Sequence, residues 1–251
     1  MKNSLKKIIS LLLCAVMIAG TVCLVPASEL SASAIELLPR GGVQTGDISK
    51  DSHSSVKYTY DTSTRKLVIY GEGEMKDFEF SAPWLGANVD NSYPYSPISV
   101  EVRVGVENIG ENAFAYCDQL TNVSMAYTVT KIGSGAFSVC ESLSEILLHD
   151  TLVEIGQEAF SGSGLVNVTI PDSVRIIGDY VFQDCIDLEN VSMGDNFHAN
   201  EIKHMFNRCD SIETLTVPGC INTIGSYFCG TAPSLKTVII EDGVKEIEGF
   251  A

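Results

Sequence analysis

Bulky apolar residues recur at a regular interval over residues 100–251. Phenylalanines stand 22–24 residues apart at Phe114, Phe137, Phe160, Phe182, Phe206 and Phe228. An Ile-Gly pair precedes most of them, at 109–110, 132–133, 155–156, 177–178 and 224–225, whereas the fifth unit has Ile202-Lys203. A unit of this length cannot bury its own apolar face, so neighbouring units must stack and share one core. The interval therefore predicts a repeat solenoid whose phenylalanine rings form a single buried column.

Each unit continues with a short segment in which apolar and polar residues alternate. Val123-x-Met125 and Val168-x-Ile170 are two of six such segments. Alternation with a period of two is typical of a half-buried β-strand. Because stacked units bring these strands side by side, we expect a parallel sheet that gains one strand per unit.

The stretch between the Ile-Gly pair and the phenylalanine predicts a tight corner. Its glycine is expected to serve either a positive φ or a close backbone approach. The following residues, Glu111-Asn112-Ala113-Phe114 in the first unit, suit a single helical or 3₁₀ turn and are too few for a crossover helix. The predicted fold class is thus mainly β with short helical turns.

The full repeat resembles a known family. The run Ile-Gly-x-x-Ala-Phe-x-x-Cys-x-x-Leu-x-x-Val at 109–123, and the same run with Ile146 in the last position at 132–146, resemble the BspA-type leucine-rich repeat of bacterial surface proteins. The resemblance covers about residues 100–251, with six full repeats and an incomplete seventh. It implies a right-handed leucine-rich-repeat solenoid with a parallel sheet on its concave side. It also implies binding to proteins or surfaces, including adhesion to host matrix proteins in some members, without naming a ligand.

The N-terminus predicts export. Lys2, Lys6 and Lys7 precede an uncharged apolar run, and Ala32-Ser33-Ala34 offers a small-residue cleavage site. This pattern predicts a signal peptide over residues 1–34. The alternative is an uncleaved membrane anchor, because the apolar run approaches spanning length. Residues 35–55, rich in Ser, Gly and Asp, are predicted to form a linker.

Residues 56–99 are predicted to cap the solenoid. Two β-rich runs, 56–60 and 66–70, are joined by turn-type residues and predict a hairpin. The hairpin, the Gly-x-Gly-x-Met run and Ala82-Pro83-Trp84 that follow resemble the segment preceding such repeats in the family. A cap would cover the open sheet edge and the apolar end of the first coil. We interpret Trp84 as part of the cap core, with a ligand platform as the alternative.

Six cysteines remain after the predicted cleavage, and four share one repeat position. These four are Cys117, Cys140, Cys185 and Cys209. Neighbouring coils about 4.8 Å apart would permit disulfides between Cys117 and Cys140 or between Cys185 and Cys209. We favour the alternative, a column of small buried thiols. No Cys-x-x-Cys pair is present, and His198 and His204 fit a solvated loop better than a metal site.

Charge and motifs argue against several classes of function. The chain carries 32 acidic and 16 basic residues, a net charge of −16, and loss of the predicted signal would make it more negative. Nucleic acids and anionic membranes require a basic surface, so neither is an expected partner. The sequence contains no nucleophile elbow, no His-Glu-x-x-His and no phosphate loop. We therefore expect no enzyme, no cofactor and no catalytic residues.

The alternation assigns candidate ligand-binding residues. If Val123 and Met125 point inward, the residues between and before them point outward on the sheet face. Across the units this concave face is mostly small and polar. The candidates are Asn122, Ser124, Glu145, Asn167, Thr169, Asn190, Ser192, Thr214, Thr216 and Thr237. Leu147 and Ile239 stand in the same outward rows.

These predictions favour a secreted or cell-surface binding module. Its expected partners are an extracellular protein, a host matrix component or a cell-wall glycan, and the module is expected to be a monomer. The C-terminus begins a seventh repeat at 240–251 and stops, which suggests a fragment of a longer protein. The alternative function is accordingly the targeting region of a longer secreted enzyme whose catalytic part lies beyond Ala251.

Overall fold

A computed structural model describes residues 42–79, 82–85, 96–195 and 201–251 of the chain. The predicted signal peptide, residues 1–34, lies outside the described residues, and so does the beginning of the predicted linker. The described strands are β1 (Val43–Asp47), β2 (Lys57–Asp61), β3 (Lys66–Tyr70), β4 (Ser99–Val102), β5 (Asn108–Ile109), β6 (Asn122–Met125), β7 (Lys131–Ile132), β8 (Glu154–Ile155), β9 (Asn167–Ile170), β10 (Ile176–Ile177), β11 (Asn190–Met193), β12 (Glu201–Ile202), β13 (Thr214–Val217), β14 (Thr223–Ile224), β15 (Thr237–Ile240) and β16 (Glu246–Ile247).

Each repeat contributes strands to two parallel arrays. The four-residue strands β4, β6, β9, β11, β13 and β15 form one array, whose outer surface is called the strand face below. The two-residue strands β5, β7, β8, β10, β12, β14 and β16 form the other. All pairings between neighbouring repeats are parallel, for example Asn167 with Asn190 and Ile132 with Ile155. The protein is therefore a mainly-β solenoid, as the repeat predicts; its right-handed winding stays a prediction.

The predicted phenylalanine column is present and buried. Rings from Phe114 to Phe206 stack at centroid distances of 5.2–5.8 Å, with interplanar angles of 23° or less. All six phenylalanines are 0–1 % exposed. Burial of one such ring contributes about 1.5–3 kcal/mol relative to exposure. The stacked rings therefore contribute to the cohesion between neighbouring coils.

Phe228 departs from the column by one residue. Its carbonyl accepts the backbone N–H of Phe206 at 2.8 Å, a role that Ala136 and Ala159 fill for the preceding phenylalanines. Phe228 thus occupies the alanine position of its repeat, and Cys229 follows at the phenylalanine position. Its ring meets Phe206 edge-on at 5.5 Å and 89° as a result.

The predicted helical turns are absent from the described residues, which contain no helix. Residues 110–117 form overlapping turns instead, in which Ala113, Ala115 and Cys117 donate to carbonyls three residues back. Two residues in these turns, Asn112 and Tyr116, have positive φ values of 53° and 63°. Their N–H groups point to the next coil, where Asn112 donates to Ser134 and Tyr116 to Ser138. A helical turn would keep those donors within the coil, so stacking selects the turns.

The corner glycines serve a close approach between coils. A Cβ on Gly133 would lie 2.6 Å from the backbone nitrogen of Glu111, and one on Gly156 would lie 2.5 Å from that of Ser134. Neither glycine has a positive φ. Of the two explanations for the Ile-Gly pair, close backbone approach is therefore the one that applies.

The N-terminal cap extends the sheet with antiparallel strands. Strand β2 pairs with β3 in the predicted hairpin, and β3 then pairs in parallel with β4 of the first coil. Trp84 is 1 % exposed, stacks on Phe114 at 5.6 Å, and donates its Nε1–H to the Ala113 carbonyl at 2.9 Å. The cap-core interpretation of Trp84 is confirmed.

The prediction of a linker over residues 35–55 is wrong from Val43 onward. Residues 43–47 form β1, which pairs antiparallel with β2 along its whole length. Ile48, one residue further, is 1 % exposed and belongs to the core. An outermost strand is held by its backbone hydrogen bonds, so it needs few bulky apolar residues and resembles a linker in composition.

Candidate functional site

The strand face carries the predicted candidates on its outer surface. Asn122, Ser124, Asn167, Thr169, Asn190, Ser192, Thr214 and Thr237 are exposed, Thr216 is half-buried, and Glu145 is exposed in a segment without a strand. In β9 and β13 the intervening residues point inward, as Val168 and Leu215 are 3 % and 0 % exposed, whereas Val238 in β15 is 43 % exposed. Whether these residues bind a ligand stays a prediction.

Two asparagine side chains on this face are hydrogen-bonded to each other. The amide of Asn190 donates to the Asn167 side-chain oxygen at 2.7 Å. This bond fixes both amides and leaves further donor and acceptor positions of each directed outward. The outward row beside it carries the hydroxyl groups of Thr169 and Ser192, so this part of the face presents several hydrogen-bonding groups at fixed spacing.

The sheet beneath the strand face is interrupted at the second repeat. Residues 143–149, all of them described, carry no strand between β6 and β9. A ring nitrogen of His149 lies 2.7 Å from the Met125 carbonyl oxygen and donates to it, occupying an acceptor at the end of β6. The prediction of one paired strand per repeat is therefore wrong here.

A shallow hollow of about 350 Å³ opens at this interruption. Its lining combines polar Asn122 and Glu145 with the apolar side chains of Val123, Ile146 and Leu147. Leu147 is 67 % exposed, an unusual position for a leucine in the middle of a sheet face. The hollow thus offers an apolar contact beside a carboxylate.

A second interruption separates β11 from β13, which are neighbours in space but belong to different sheets. A larger hollow of about 650 Å³ lies there, lined by Glu189, Asn190, Ser211, Glu213, Thr214 and Ser234. Lys236 forms an ion pair with Glu213 at 2.6 Å, with both side chains largely exposed. The lining is a set of hydroxyl, amide and carboxylate groups suited to a polar ligand.

Two further basic side chains lie at the cap end of the strand face. Lys66 and Arg103 contact Glu101 at 2.7 and 2.8 Å, in the row that continues through Ser124. Hydrogen bonds from these two side chains lower the pKa of Glu101. The carboxylate therefore stays ionised, and this group of three side chains carries one net positive charge.

The shared cysteine position holds thiols, and no disulfide joins the six cysteines of the described residues. Cys140, Cys185 and Cys209 each donate to the carbonyl of a buried phenylalanine in an earlier coil, at 3.0–3.2 Å. Burial raises the pKa of each of these thiols, that of Cys185 to about 11. The buried-thiol interpretation is confirmed, and these cysteines are unsuited to nucleophilic chemistry.

A stacked row of aromatic side chains, here called the aromatic ladder, was not predicted from the sequence. It consists of Tyr180, His204, Tyr227 and Phe250, with centroid distances of 4.4, 5.1 and 5.6 Å and interplanar angles of 7–19°. The signal was present, because Tyr180 and His204 each stand two residues before a column phenylalanine.

The ladder residues adopt a backbone conformation that aromatic residues disfavour. Their φ values lie between 53° and 65°, in the left-handed region. This conformation costs a residue other than glycine roughly 1–2 kcal/mol, and asparagine tolerates it best. The same position holds Asn112, Gly135 and Glu158 in the earlier coils. Stacking stabilises the fold by about 0.5–1.5 kcal/mol per aromatic pair, which is comparable to the cost of the left-handed conformation.

Within the described residues, no group of three or more His, Cys, Asp or Glu side chains is placed to hold a metal ion. His204 lies in the aromatic ladder, and His198 lies outside the described residues. The same part of the chain contains no helix of the length and hydropathy needed to cross a bilayer.

Repeat period, buried column and parallel arrays together define a leucine-rich-repeat solenoid. The model of the BspA-type leucine-rich repeat region matches six copies, over residues 107–228 and 140–251. The chain belongs to this family. The family is one of binding modules and not a catalytic one.

Solved structures of bacterial leucine-rich-repeat proteins share the fold. A protein from Bacteroides ovatus is 24 % identical with a TM-score of 0.59, covering 78 % of this chain and 54 % of its own. One from Eubacterium ventriosum is 23 % identical with a TM-score of 0.54, covering 82 % and 62 %. The pneumococcal vaccine antigen PcpA is 19 % identical with a TM-score of 0.50, covering 81 % and 51 %. The chain thus spans between half and two thirds of these relatives, and no curated protein matches it.

Proposed function

We propose that the chain is a secreted or cell-surface binding module that attaches to an extracellular protein or a glycan through its strand face. The observation that carries the proposal is the row of outward polar side chains on a rigid stack, with Asn190 bonded to Asn167 and a hollow at each interruption of the sheet. Preorganised hydrogen-bonding groups bind a partner with little loss of side-chain entropy.

The negative charge of the chain favours an uncharged or basic ligand. The chain has a net charge of −16, and the two hollows together present three glutamates and a single lysine neighbour, Lys236. An acidic ligand would meet like charge across most of this surface, and like-charge contact is unfavourable for association. A host matrix protein and a neutral cell-wall glycan both satisfy this condition, and adhesion is the role that each would serve.

The test is a charge insertion on the strand face. Asn122→Lys, Asn167→Lys and Asn190→Lys together place three long cations across the face. The purified chain would be assayed by surface plasmon resonance against panels of matrix proteins and cell-wall glycans. We expect the triple variant to weaken the binding of the ligand found by about tenfold or more, because long side chains now obstruct the face.

A matched control carries the same added charge away from the face. Ser142→Lys, Thr151→Lys and Gln157→Lys lie on exposed turns. We expect this variant to bind like the unchanged chain. Equal binding by the strand-face variant would refute the face assignment, and a panel without any ligand would count against the binding role.

The alternative, targeting within a longer secreted enzyme, uses the same face. The solved relatives extend beyond the matched region, since it covers 54 % and 62 % of the first two. A hydrolase domain encoded beyond Ala251 would favour this alternative, and further repeats or a wall-sorting signal would favour the adhesion module.

A further inference from the structure

The aromatic ladder is a second surface with the properties of a binding site, separate from the strand face. Tyr227 is 41 % exposed, and Tyr180 and His204 are half-buried. Aromatic side chains that remain accessible are over-represented where proteins bind partners. Four consecutive coils place one at the same position, whereas the three earlier coils do not.

The backbone holds each rung rigidly in place. Tyr180, His204 and Tyr227 each donate a backbone N–H to the next coil, at 3.2, 3.2 and 2.9 Å. Their own carbonyls accept the N–H of the residue three further on, at 3.1–3.3 Å. The left-handed conformation belongs to the repeat, since Asn112 and Glu158 share it, so the aromatic rings are held at equivalent positions along the stack.

Ring geometry restricts the ligands that the ladder can take. The inner rungs are 4.4–5.6 Å apart and nearly parallel, so neighbouring rings cover the faces of His204 and Tyr227. A sugar or an organic cation that stacks on a ring face therefore finds those faces occupied. The tyrosine hydroxyl groups and the imidazole N–H lie at the ring edges, where they can act as hydrogen-bond donors.

We propose that the aromatic ladder binds a proline-rich segment in the polyproline II conformation. Such a helix repeats every three residues with a rise of about 3.1 Å, which gives a turn of about 9.3 Å. The two intervals from Tyr180 to Tyr227, 4.4 and 5.1 Å, together nearly equal that turn. One proline of each turn can thus contact alternate rungs of the ladder.

Hydrogen-bonding chemistry agrees with the spacing. Proline residues lack a backbone N–H, so a proline-rich segment presents carbonyl acceptors and few donors. Tyr180, His204 and Tyr227 can supply such donors, and aromatic side chains line the surfaces that dock polyproline II segments in other proteins. In an extended β-strand the side chains on one face recur about every 6.8 Å. This spacing matches neither the distance between adjacent rings of the ladder nor the sum of two such distances.

The experiment measures binding of a fluorescein-labelled decaproline to the full chain by fluorescence anisotropy. A labelled Gly-Ser decapeptide of equal length is the reference, because it forms a flexible coil. The variant is Tyr180→Asn with Tyr227→Asn, since asparagine accepts the positive φ and preserves the turns. Glu158→Asn, at the same position one coil before the ladder, is the matched control. Circular dichroism and thermal unfolding establish that all variants are folded.

The expected result is saturable binding of decaproline, weakened about tenfold or more in the double variant and unchanged in Glu158→Asn. Asn122→Lys, Asn167→Lys and Asn190→Lys should leave this binding intact, which separates it from the strand face. Absence of saturable binding up to millimolar peptide, equal binding of the Gly-Ser peptide, or full binding by the double variant would each overturn the proposal.

Discussion

The coils over residues 109–185 and those over residues 201–230 follow the same pattern with different regularity. In the first group each corner has its glycine, and the backbone bonds that phenylalanines 114, 137 and 160 donate are 2.7–3.0 Å long. In the second group Ile202 and Phe206 are separated by one residue fewer and Lys203 replaces the glycine after Ile202. At the junction of the two groups Phe182 donates to the Met205 carbonyl at 3.1 Å. The widest column spacing, 5.8 Å, also occurs there.

Asp179 compensates for the missing corner residue. Its carboxylate accepts the backbone N–H of Lys203 at 3.2 Å, whereas in a regular corner Gly133 donates to the Ile109 carbonyl. The less regular coils are also those beside the larger hollow and within the aromatic ladder. The smaller hollow lies instead among the coils of the first group, so candidate features occur in both groups, and the larger hollow and the aromatic ladder distinguish the second.

The largest expected difference between the two groups concerns the phenylalanine column. Phe160→Ala removes a buried ring stacked on both sides, at 5.4 and 5.6 Å. We expect it to lower the free energy of unfolding by about 3–5 kcal/mol, measured by urea denaturation. Phe228→Ala removes a ring that meets the column edge-on, at the repeat position where earlier coils have alanine. It should lower the free energy of unfolding by less than Phe160→Ala does. Equal losses would show that the departing coils are as tightly coupled as the regular ones.

The corner glycines should produce the next largest effect. Gly156→Ala places a Cβ 2.5 Å from the backbone nitrogen of Ser134, so the two coils must separate. Overpacking of this kind costs about 1–3 kcal/mol. Gly249→Ala is the control, because nothing lies within 4 Å of the added Cβ. A Gly156→Ala variant with unchanged thermal stability would mean that regular coils tolerate the wider spacing of the departing ones.

The regular coils were the part of the fold that the sequence could predict. Their phenylalanines and strand segments bury apolar side chains, and burial imposes a periodic pattern that is visible without coordinates. The outward positions of Asn122 and Asn167 follow from the same pattern, because side chains alternate along a strand. The fold class and the location of the candidate face were therefore accessible from composition and spacing.

The departures depend on hydrogen bonds that spacing does not encode. The break at residues 143–149 involves the ring of His149. The shifted position of Phe228 is the exception, because Ile224 and Phe228 stand one residue closer together than Ile109 and Phe114 do. Strand β1 escaped prediction because its pairing is carried by the backbone. The aromatic ladder was missed because its left-handed conformation is set by bonds between coils, at a position where asparagine or glycine would be expected.

The smallest effect that tests the comparison is a pH dependence at the junction of the two groups. Cys185 is the last column thiol before the departing coils, and burial raises its pKa to about 11. In the unfolded chain a thiol ionises near its ordinary pKa of about 8.5. The contribution of the neutral Cys185 thiol to the free energy of unfolding is thus complete below that pH. It is lost as the pH rises towards 11, because ionisation of the thiol favours the unfolded state.

Cys185→Ala should therefore reduce the fall in unfolding free energy between pH 8.5 and pH 10.5, measured by urea denaturation at each pH. Cys229→Ala is the matched control, since that thiol is only partly buried and its pKa is raised less strongly. We expect Cys229→Ala to leave the alkaline slope nearer to that of the unchanged chain. If Cys185→Ala left the slope unaltered, the coil before the junction would already admit water to its thiol, and the boundary between regular and departing coils would lie one repeat earlier.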